Sequence, residues 1–247
     1  MSGPRDKNGA YLIINAAIDD LDAQDWAGML LGMYTGWVRN RGYEDWLVEY
    51  SSSTDRDRGV NPLTLAIDGR YAYGYLKSET GVHLLKRTSP FNITRKQASS
   101  ATVEVVPWDV QLKIPQQDLE RILPVPRRYY PGRVPIWVKI VHVPTGISAI
   151  SEEYRSQLKN RERALALLKS KLFAIMQRQG VQQLADIQGD RLTTVLNQPI
   201  REYQFASDSD SQGKVLDLRT GIETTAVAEV LDGKLDSFIK AGVLLKK

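Results

Sequence analysis

The sequence of 247 residues contains no cysteine and only two histidines, His83 and His142. Without cysteine there can be no disulfide bond, no thiolate nucleophile and no zinc site built on cysteine ligands. Two histidines are too few for a histidine-rich metal cage. We therefore expect neither a metal nor any other cofactor.

Long apolar runs are also missing. No stretch approaches the length of apolar sequence that crosses a bilayer, and residues 1–10 lack the apolar core and the cleavage site of a signal peptide. With 42% hydrophobic and 25% charged residues the chain is predicted to be globular. We expect a location in the cytoplasm, or in an organelle stroma if a transit peptide was removed, and no membrane partner.

The net charge of +4 is unevenly distributed along the chain. Residues 111–180 carry 13 basic and 5 acidic side chains, whereas residues 1–110 carry 12 and 14, and residues 181–247 carry 8 and 10. A basic central module between acidic flanks is expected of a surface that meets phosphate groups. A lysine- and arginine-rich helix that merely exposes its solvated face would give the same count, and charge alone leaves the two interpretations open.

Hydropathy patterns predict a mixture of helices and strands. Apolar residues recur every three or four positions over residues 26–38, which predicts a helix that Gly42 ends. Since strands and helices do not alternate regularly, the fold class is α+β. The predicted strands are residues 11–14, 43–50, 63–68, 82–87, 101–106, 137–143, 147–150 and 200–205.

A long helix is predicted after Ser151, ending near Gln179, and its non-apolar faces are basic. Residues 180–199 form a polar connection and a plausible module boundary, and one or two helices are expected within residues 225–245. The apolar stripe of the long helix comprises Leu158, Leu165, Leu168, Leu172, Ile175 and Met176.

Several strings, in the same order over nearly the whole chain, resemble those of bacterial class I peptide chain release factors of the type that decodes UGA and UAA, the release factor two-like type. They are Ala23-Gln24-Asp25-Trp26-Ala27-Gly28-Met29-Leu30, Tyr71-Ala72-Tyr73-Gly74-Tyr75-Leu76, Glu79-Thr80-Gly81-Val82-His83, Ser89-Pro90-Phe91, His142-Val143-Pro144-Thr145-Gly146, Arg155-Ser156-Gln157 with Lys159-Asn160, and Asp217-Leu218-Arg219-Thr220-Gly221.

The resemblance implies a three-part α+β architecture. A decoding-like domain over residues 1–110 would pack with a C-terminal segment over residues 190–247. A projecting central domain over residues 111–185 would hold the long basic helix. Members of the family also have an N-terminal helical domain, so the resemblance implies a chain that is truncated at its N-terminus.

The resemblance also assigns candidate codon-recognition residues. In the family a Ser-Pro-Phe tripeptide reads the second and third bases of the stop codon, and it is present as Ser89-Pro90-Phe91. Proline stiffens the loop, the serine hydroxyl can donate or accept a hydrogen bond, and phenylalanine offers an apolar face. Gln97 stands where the family has a histidine that stacks on the codon.

The largest departure from the family is the absence of Gly-Gly-Gln, the tripeptide through which its members hydrolyse peptidyl-tRNA. The corresponding stretch, residues 123–135, contains four prolines with bulky tyrosines and arginines, and Gly-Gly-Gln occurs nowhere in the chain. Because proline fixes φ whereas glycine permits unusual backbone angles, this segment is not expected to act in the same way. We therefore expect that the chain is not an enzyme and has no catalytic residue.

The leading hypothesis is a release-factor-like protein that binds RNA or the ribosome without hydrolysing peptidyl-tRNA. The alternatives are an active or rescue-type release factor in translation termination and a protein-interaction scaffold that reuses the fold. Partners would be the ribosome, rRNA or mRNA, with a protein partner possible at residues 123–135. Cations and stacking surfaces suited to RNA are predicted at Arg127, Arg128, Tyr129, Tyr130, Arg133, Arg155, Lys159, Arg161 and Arg163.

Overall fold

The computed structural model describes residues 3–17, 19–49, 62–92, 96–123, 136–188, 199–206 and 212–245. Its helices and strands are, in chain order, β1 (Ala10–Ala16), α1 (Leu21–Asn40), β2 (Glu44–Glu49), β3 (Leu63–Asp68), α2 (Ala72–Leu76), β4 (Gly81–Thr88), β5 (Lys96–Pro107), β6 (Leu119–Ile122), β7 (Val138–His142), β8 (Ile147–Ser151), α3 (Gln157–Gln179), β9 (Pro199–Gln204), β10 (Lys214–Asp217), β11 (Glu223–Thr224), α4 (Val227–Leu231) and α5 (Asp236–Leu245).

An eight-stranded sheet organises most of these elements. Its strand order is β11-β10-β9-β4-β5-β1-β3-β2. Neighbouring strands are antiparallel except β4 and β9, which are parallel. Since β9, β10 and β11 come from the C-terminal segment, that segment extends the sheet formed by the first 110 residues.

Helix α1 covers one face of this sheet. The side chain of Asp20 caps its N-terminus by accepting a hydrogen bond from Ala23 N at 3.1 Å. Gly42 has φ +67°, a left-handed conformation that suits glycine where the chain leaves the helix. The buried stripe includes Trp26, Leu30 and Trp37, which share one core with side chains of α2, α4, α5 and the sheet. The helix predicted over residues 26–38 is therefore confirmed, with longer ends.

A second core lies on the other face of the large sheet. There Tyr11 and Ile13 of β1 share a buried cluster with Ile140 of β7 and Leu168 of α3. Strands β6, β7 and β8 form a separate antiparallel sheet in that order, on which α3 packs. The described part of the central module therefore packs against the large sheet and does not stand clear of it.

Helix α3 begins five residues later than the sequence predicts. Strand β8 runs through Ser151, and Ser156 Oγ accepts a hydrogen bond from Lys159 N as the N-cap. Leu158, which the sequence places in the apolar stripe, is 62% exposed. Asn160 is buried in the first turns instead, where its amide donates to Ile136 O and Tyr154 O. Buried polar bonds, rather than apolar packing, fix the start of this helix.

A buried carboxylate joins the two sheets. Glu49 of β2 is 3% exposed and accepts hydrogen bonds from Ile150 N at 2.7 Å and Thr64 Oγ1 at 2.6 Å. Lys171 of α3 contacts both of its carboxylate oxygens, at 3.0 and 3.1 Å.

None of the described helices is long and apolar enough to cross a lipid bilayer. Over the same part of the chain, no His, Asp and Glu side chains cluster in a way that could hold a metal ion.

Candidate functional site

The Ser-Pro-Phe segment forms a turn closed by its own serine. Ser89 is 2% exposed, and its Oγ accepts hydrogen bonds from Phe91 N at 3.1 Å and Asn92 N at 3.2 Å. The same hydroxyl donates to Asp22 Oδ2 at 2.8 Å. Serine side chains that bond to backbone N–H groups two and three residues ahead stabilise tight turns. In this conformation the Ser89 hydroxyl holds the loop and is turned away from solvent.

The first turns of α1 support this loop. Arg87, at the end of β4, donates to Asp25 Oδ2 at 2.5 Å and lies 3.6 Å from Asp22 Oδ1. Asp22 is 7% exposed, and the Arg87 side chain is 11% exposed. Partly buried ion pairs of this kind are screened less than surface pairs. The acidic start of α1 thus caps the helix through Asp20 and also anchors the end of β4.

Two of the exposed residues of the loop are apolar. Phe91 is 56% exposed and Pro90 is also exposed. Leu21, one residue before Asp22, is 58% exposed. Gln97 at the start of β5 lies 3.5 Å from Asp20 Oδ1, a distance at the outer limit of a hydrogen bond. The four candidate codon-recognition residues therefore lie around the N-terminus of α1, with the buried Ser89 below Pro90 and Phe91.

A buried ion network lies at the base of β4. Arg201 of β9 is fully buried and makes a two-point contact with Glu79, at 2.6 and 2.8 Å. It also donates to Asp217 at 3.1 Å, and Asp217 accepts from Arg219 at 2.8 Å. Burial disfavours ionisation of Glu79, but the adjacent Arg201 guanidinium holds the pKa of Glu79 below its usual range. The network ties the C-terminal strands to the chain segment that leads into β4.

His83 belongs to the same buried cluster. Its Nδ1 lies 3.1 Å from the Tyr203 hydroxyl, and its Nε2 lies 3.0 Å from Glu79 O. Burial, with the nearby Arg201 charge, lowers the pKa of His83 to about 4. Burial likewise raises the pKa of Tyr203 to about 12. At neutral pH both side chains are uncharged, and His83 packs and hydrogen-bonds within the fold.

The predicted RNA-binding cations of the central module have different surroundings. Arg155 and Lys159 are exposed around the N-terminus of α3. Arg161 lines a cavity between α3 and β6. Arg163 lies over the Trp46 ring, donates to the Tyr154 hydroxyl at 3.2 Å and pairs with Glu153 at 3.7 Å, so it is held by protein contacts. Arg127, Arg128, Tyr129, Tyr130 and Arg133 lie outside the described residues.

Sequence reasoning did not find the partners that position the loop. Asp22 and Ser89 are 67 positions apart, and Arg201 and Glu79 are 122 apart. The Asp-Leu-Arg string at residues 217–219 was a usable signal, because both of its charged residues join the buried network. Nothing in the local pattern distinguishes Arg201 from a solvated strand residue.

Comparisons with known proteins agree with the geometry. The PCRF domain model matches residues 1–103, and the RF-1 domain model matches residues 133–215. The chain is 41% identical to the chloroplastic peptide chain release factor PrfB1 of Arabidopsis thaliana, with 98% of this chain and 53% of that protein covered. Peptide chain release factor 2 of Clostridium perfringens is 38% identical over 98% of this chain and 67% of that protein.

The fold is also similar to that of a solved release factor structure. Release factor 2 of Thermus thermophilus superposes with a TM-score of 0.80 and 32% identity, over 99% of this chain and 70% of that chain. The chain spans about half of the Arabidopsis protein and 66% of peptide chain release factor 2 of Thermotoga petrophila.

These similarities correct one expectation. The conclusion that the chain is not an enzyme rested on one absent tripeptide, and it is wrong, because relatives named peptide chain release factors match 98% of the chain. Most of the stretch that replaces the tripeptide lies outside the described residues. The chain belongs to the peptide chain release factor family and is similar to its release factor 2 members.

Proposed function

We propose that this chain acts in translation termination as a peptide chain release factor that binds the ribosome at a stop codon and promotes release of the peptide. The observation that carries the proposal is the similarity to release factor 2 proteins over 98% of the chain, together with a Ser-Pro-Phe turn on the matching decoding module. The substrate would be peptidyl-tRNA, and the partners would be rRNA and mRNA.

The Ser89 turn would act as a rigid reading surface. Its three hydrogen bonds leave few alternative conformations to Pro90 and Phe91, which are the exposed residues of the tripeptide. A preorganised loop loses less conformational entropy on binding than a flexible one. On this proposal Ser89 acts mainly by fixing the loop, and the apolar edge of the turn faces the codon.

The central module would contact the RNA backbone. Arg155 and Lys159 are exposed cations near the start of α3, where they can approach phosphate groups without leaving an internal ion pair. Arg127, Arg128 and Arg133, with Tyr129 and Tyr130, are assigned the same role on their sequence alone, because arginine and tyrosine bind RNA by charge and stacking. Arg163 contributes less, since Glu153 already compensates its charge.

Substitution tests these contacts. Replacing Arg155 and Lys159 by alanine should weaken ribosome binding at low salt and reduce its salt dependence by about one unit of slope per lost phosphate contact. A matched control replaces Lys214 and Lys234, which already pair with Glu223 and Glu229 outside the central module. Equal salt slopes for the two double variants would contradict the assignment. A triple alanine variant of Arg127, Arg128 and Arg133 tests the adjoining segment in the same way.

The activity is tested by peptide release. Purified protein is added to ribosomes that carry a labelled peptidyl-tRNA with UGA, UAA, UAG or a sense codon in the decoding site. The proposal predicts release that increases with protein concentration at UGA and UAA, and little release at UAG or the sense codon. Binding without release at any codon would contradict it. Location in the cytoplasm or in an organelle where such ribosomes occur follows from the same proposal.

A further inference from the structure

A groove runs between α3 and the edge strand of the small sheet. Helix α3 packs on β7 and β8, while β6 is an edge strand whose described neighbour is β7 alone. Between β6 and α3 lie two adjoining cavities of about 310 and 490 Å³, which share Gln116, Leu119 and Leu165 in their walls. The groove is therefore a continuous depression bounded by a helix on one side and an open strand edge on the other.

The floor of the groove is aliphatic. Leu112 and Ile114 precede β6, Leu119 begins it, Ile140 comes from β7 and Leu165 from α3. Four of these side chains are only partly buried against the second core, which leaves apolar surface facing the groove. No aromatic residue is among the described residues of the walls. Nucleic-acid bases are usually held by stacking on aromatic rings, so an aliphatic floor suits amino-acid side chains better than bases.

The rim of the groove is positively charged. Lys113, Arg121, Arg161 and Lys169 line it, against a single carboxylate, Glu120. None of these four cations has an ion-pair partner among the residues that the structure describes. A spacing of four residues separates Arg161, Leu165 and Lys169 along α3. This spacing places them on one face of the helix, with one cation on each side of the leucine. An acidic ligand with apolar side chains would match this arrangement in charge and in shape.

The open edge of β6 adds a third feature. An edge strand offers unpaired backbone N–H and C=O groups, and an extended peptide can add to it as a further strand. Alternate side chains of such a peptide point to one face of the sheet, with a spacing of two residues. A segment with apolar residues at every second position and acidic residues between them would place the first set on the aliphatic floor and the second near the cations.

We propose that this groove, between residues 111–121 and the Arg161–Leu165–Lys169 face of α3, binds an extended acidic peptide segment of a partner protein by strand addition to β6. Such binding needs neither ribosomes nor peptide release. Its test is therefore independent of the function proposed above.

Fluorescence polarisation of labelled probes tests this inference directly on the full chain. The probes are an eight-residue peptide of alternating leucine and glutamate, a second of alternating serine and glutamate, and an eight-nucleotide oligouridylate. The leucine peptide should bind saturably, and the serine peptide should bind about tenfold more weakly or worse, because it buries little apolar surface. Absence of saturable binding, or equal binding of both peptides, would overturn the proposal.

Charge reversal locates the site. Lys169→Glu should weaken binding of the leucine peptide about fivefold, as expected for loss and reversal of one partly exposed charge contact. Lys240→Glu on α5 makes the same change in net charge away from the groove and should have less than about a twofold effect. Arg121→Glu, on the exposed strand edge, repeats the test if the helix variant folds poorly.

The oligouridylate separates the two classes of ligand. On the present inference Lys169→Glu and Arg121→Glu reduce peptide binding more than oligouridylate binding, which depends on cations elsewhere in the central module. The reverse ranking, or full displacement of the peptide by oligouridylate at equal concentration, would identify the groove as an RNA site and overturn the proposal.

Discussion

At the scale of single residues, Ser89 has internal hydrogen-bond partners that its sequence motif does not predict. The motif indicates a hydroxyl offered to RNA, whereas the structure commits that hydroxyl to Asp22 and to two backbone amides. The Ser-Pro-Phe tripeptide itself could be found from the sequence. Its internal partner could not, because the contact joins residues that are 67 positions apart and only the fold brings them together.

Removing this hydroxyl tests its role. Ser89→Ala leaves a buried carboxylate oxygen and two amides without a partner, which should lower the free energy of unfolding by about 1 to 2 kcal/mol. We also expect slower stop-codon-dependent peptide release. Ser100→Ala, at an exposed position of β5 nearby, serves as the control and should change neither urea unfolding nor release. Normal stability together with normal release by Ser89→Ala would show that the turn does not depend on its hydroxyl.

His83 makes folding stability depend on pH. A histidine whose pKa is about 4 in the folded chain and 6.5 in its ordinary state binds fewer protons when folded. The contribution of His83 to the free energy of unfolding is therefore complete above pH 6.5 and is lost as pH falls towards 4. Burial also lowers the pKa of His142, which acts in the same direction. The lowered pKa of Glu79 acts in the same direction, and its contribution to stability is lost only as pH falls below the ordinary value of 4.5.

Urea unfolding at a series of pH values measures this effect. Between pH 6.5 and pH 5 the free energy of unfolding should fall by about 2 kcal/mol from His83. His83→Gln should be less stable at pH 7 but should lose most of this pH dependence. His142→Gln should retain most of the pH dependence. An unchanged slope in the His83 variant would contradict the burial of a neutral histidine.

At the scale of elements, the parallel pairing of β4 with β9 depends on a close backbone approach. Gly81 has φ +152°, and a Cβ atom there would lie 2.4 Å from Ile200 Cγ2 of β9. The Glu79–Arg201 ion pair lies beside this contact and joins the same two segments. Besides the backbone pairing of β4 with β9, one glycine contact and one buried ion network therefore hold the C-terminal strands to residues 1–110.

Gly81→Ala should separate these strands. The forced shift of Ile200 and the strained backbone should cost about 2 to 3 kcal/mol of folding stability. Gly32→Ala in α1 is the matched control, since a Cβ atom at Gly32 meets nothing within 4 Å, and it should raise stability by up to about 1 kcal/mol. Hydrogen exchange at the amides of β9 should increase in the first variant only. Equal protection of the β9 amides in the two variants would contradict the role of Gly81 in the pairing of β4 with β9.

Long periodic elements could be predicted from the sequence, whereas several of the shortest elements could not. The stripe of α1 and the alternating strands β4 and β5 have enough residues to define a period. The two-residue strand β11, the four-residue strands β6 and β10 and the five-residue helix α2 do not. Their positions depend on pairing with distant strands, so tertiary contacts decide them. The late start of α3 has the same origin, because β8 and Asn160 fix it.

At the scale of the whole molecule, the eight-stranded sheet has a hydrophobic core on each of its faces. Helices α1, α2, α4 and α5 cover one face, while the small sheet and α3 cover part of the other. The Glu49–Lys171 pair and the second core hold the central module to the decoding module. The family resemblance implies a three-part architecture, whereas the packing of the central module against the large sheet is seen only in the structure.

The proposed function is peptide release by a member of the release factor family whose sequence contains no Gly-Gly-Gln. The most direct test is single-turnover release of a labelled peptide from ribosomes stalled at UGA, with protein in excess and an inactive factor of equal size as a blank. We predict a release rate that rises with protein concentration and then saturates. The rate should be lower for Ser89→Ala and unchanged for Ser100→Ala. A rate equal to the blank at saturating occupancy of the ribosome would contradict it.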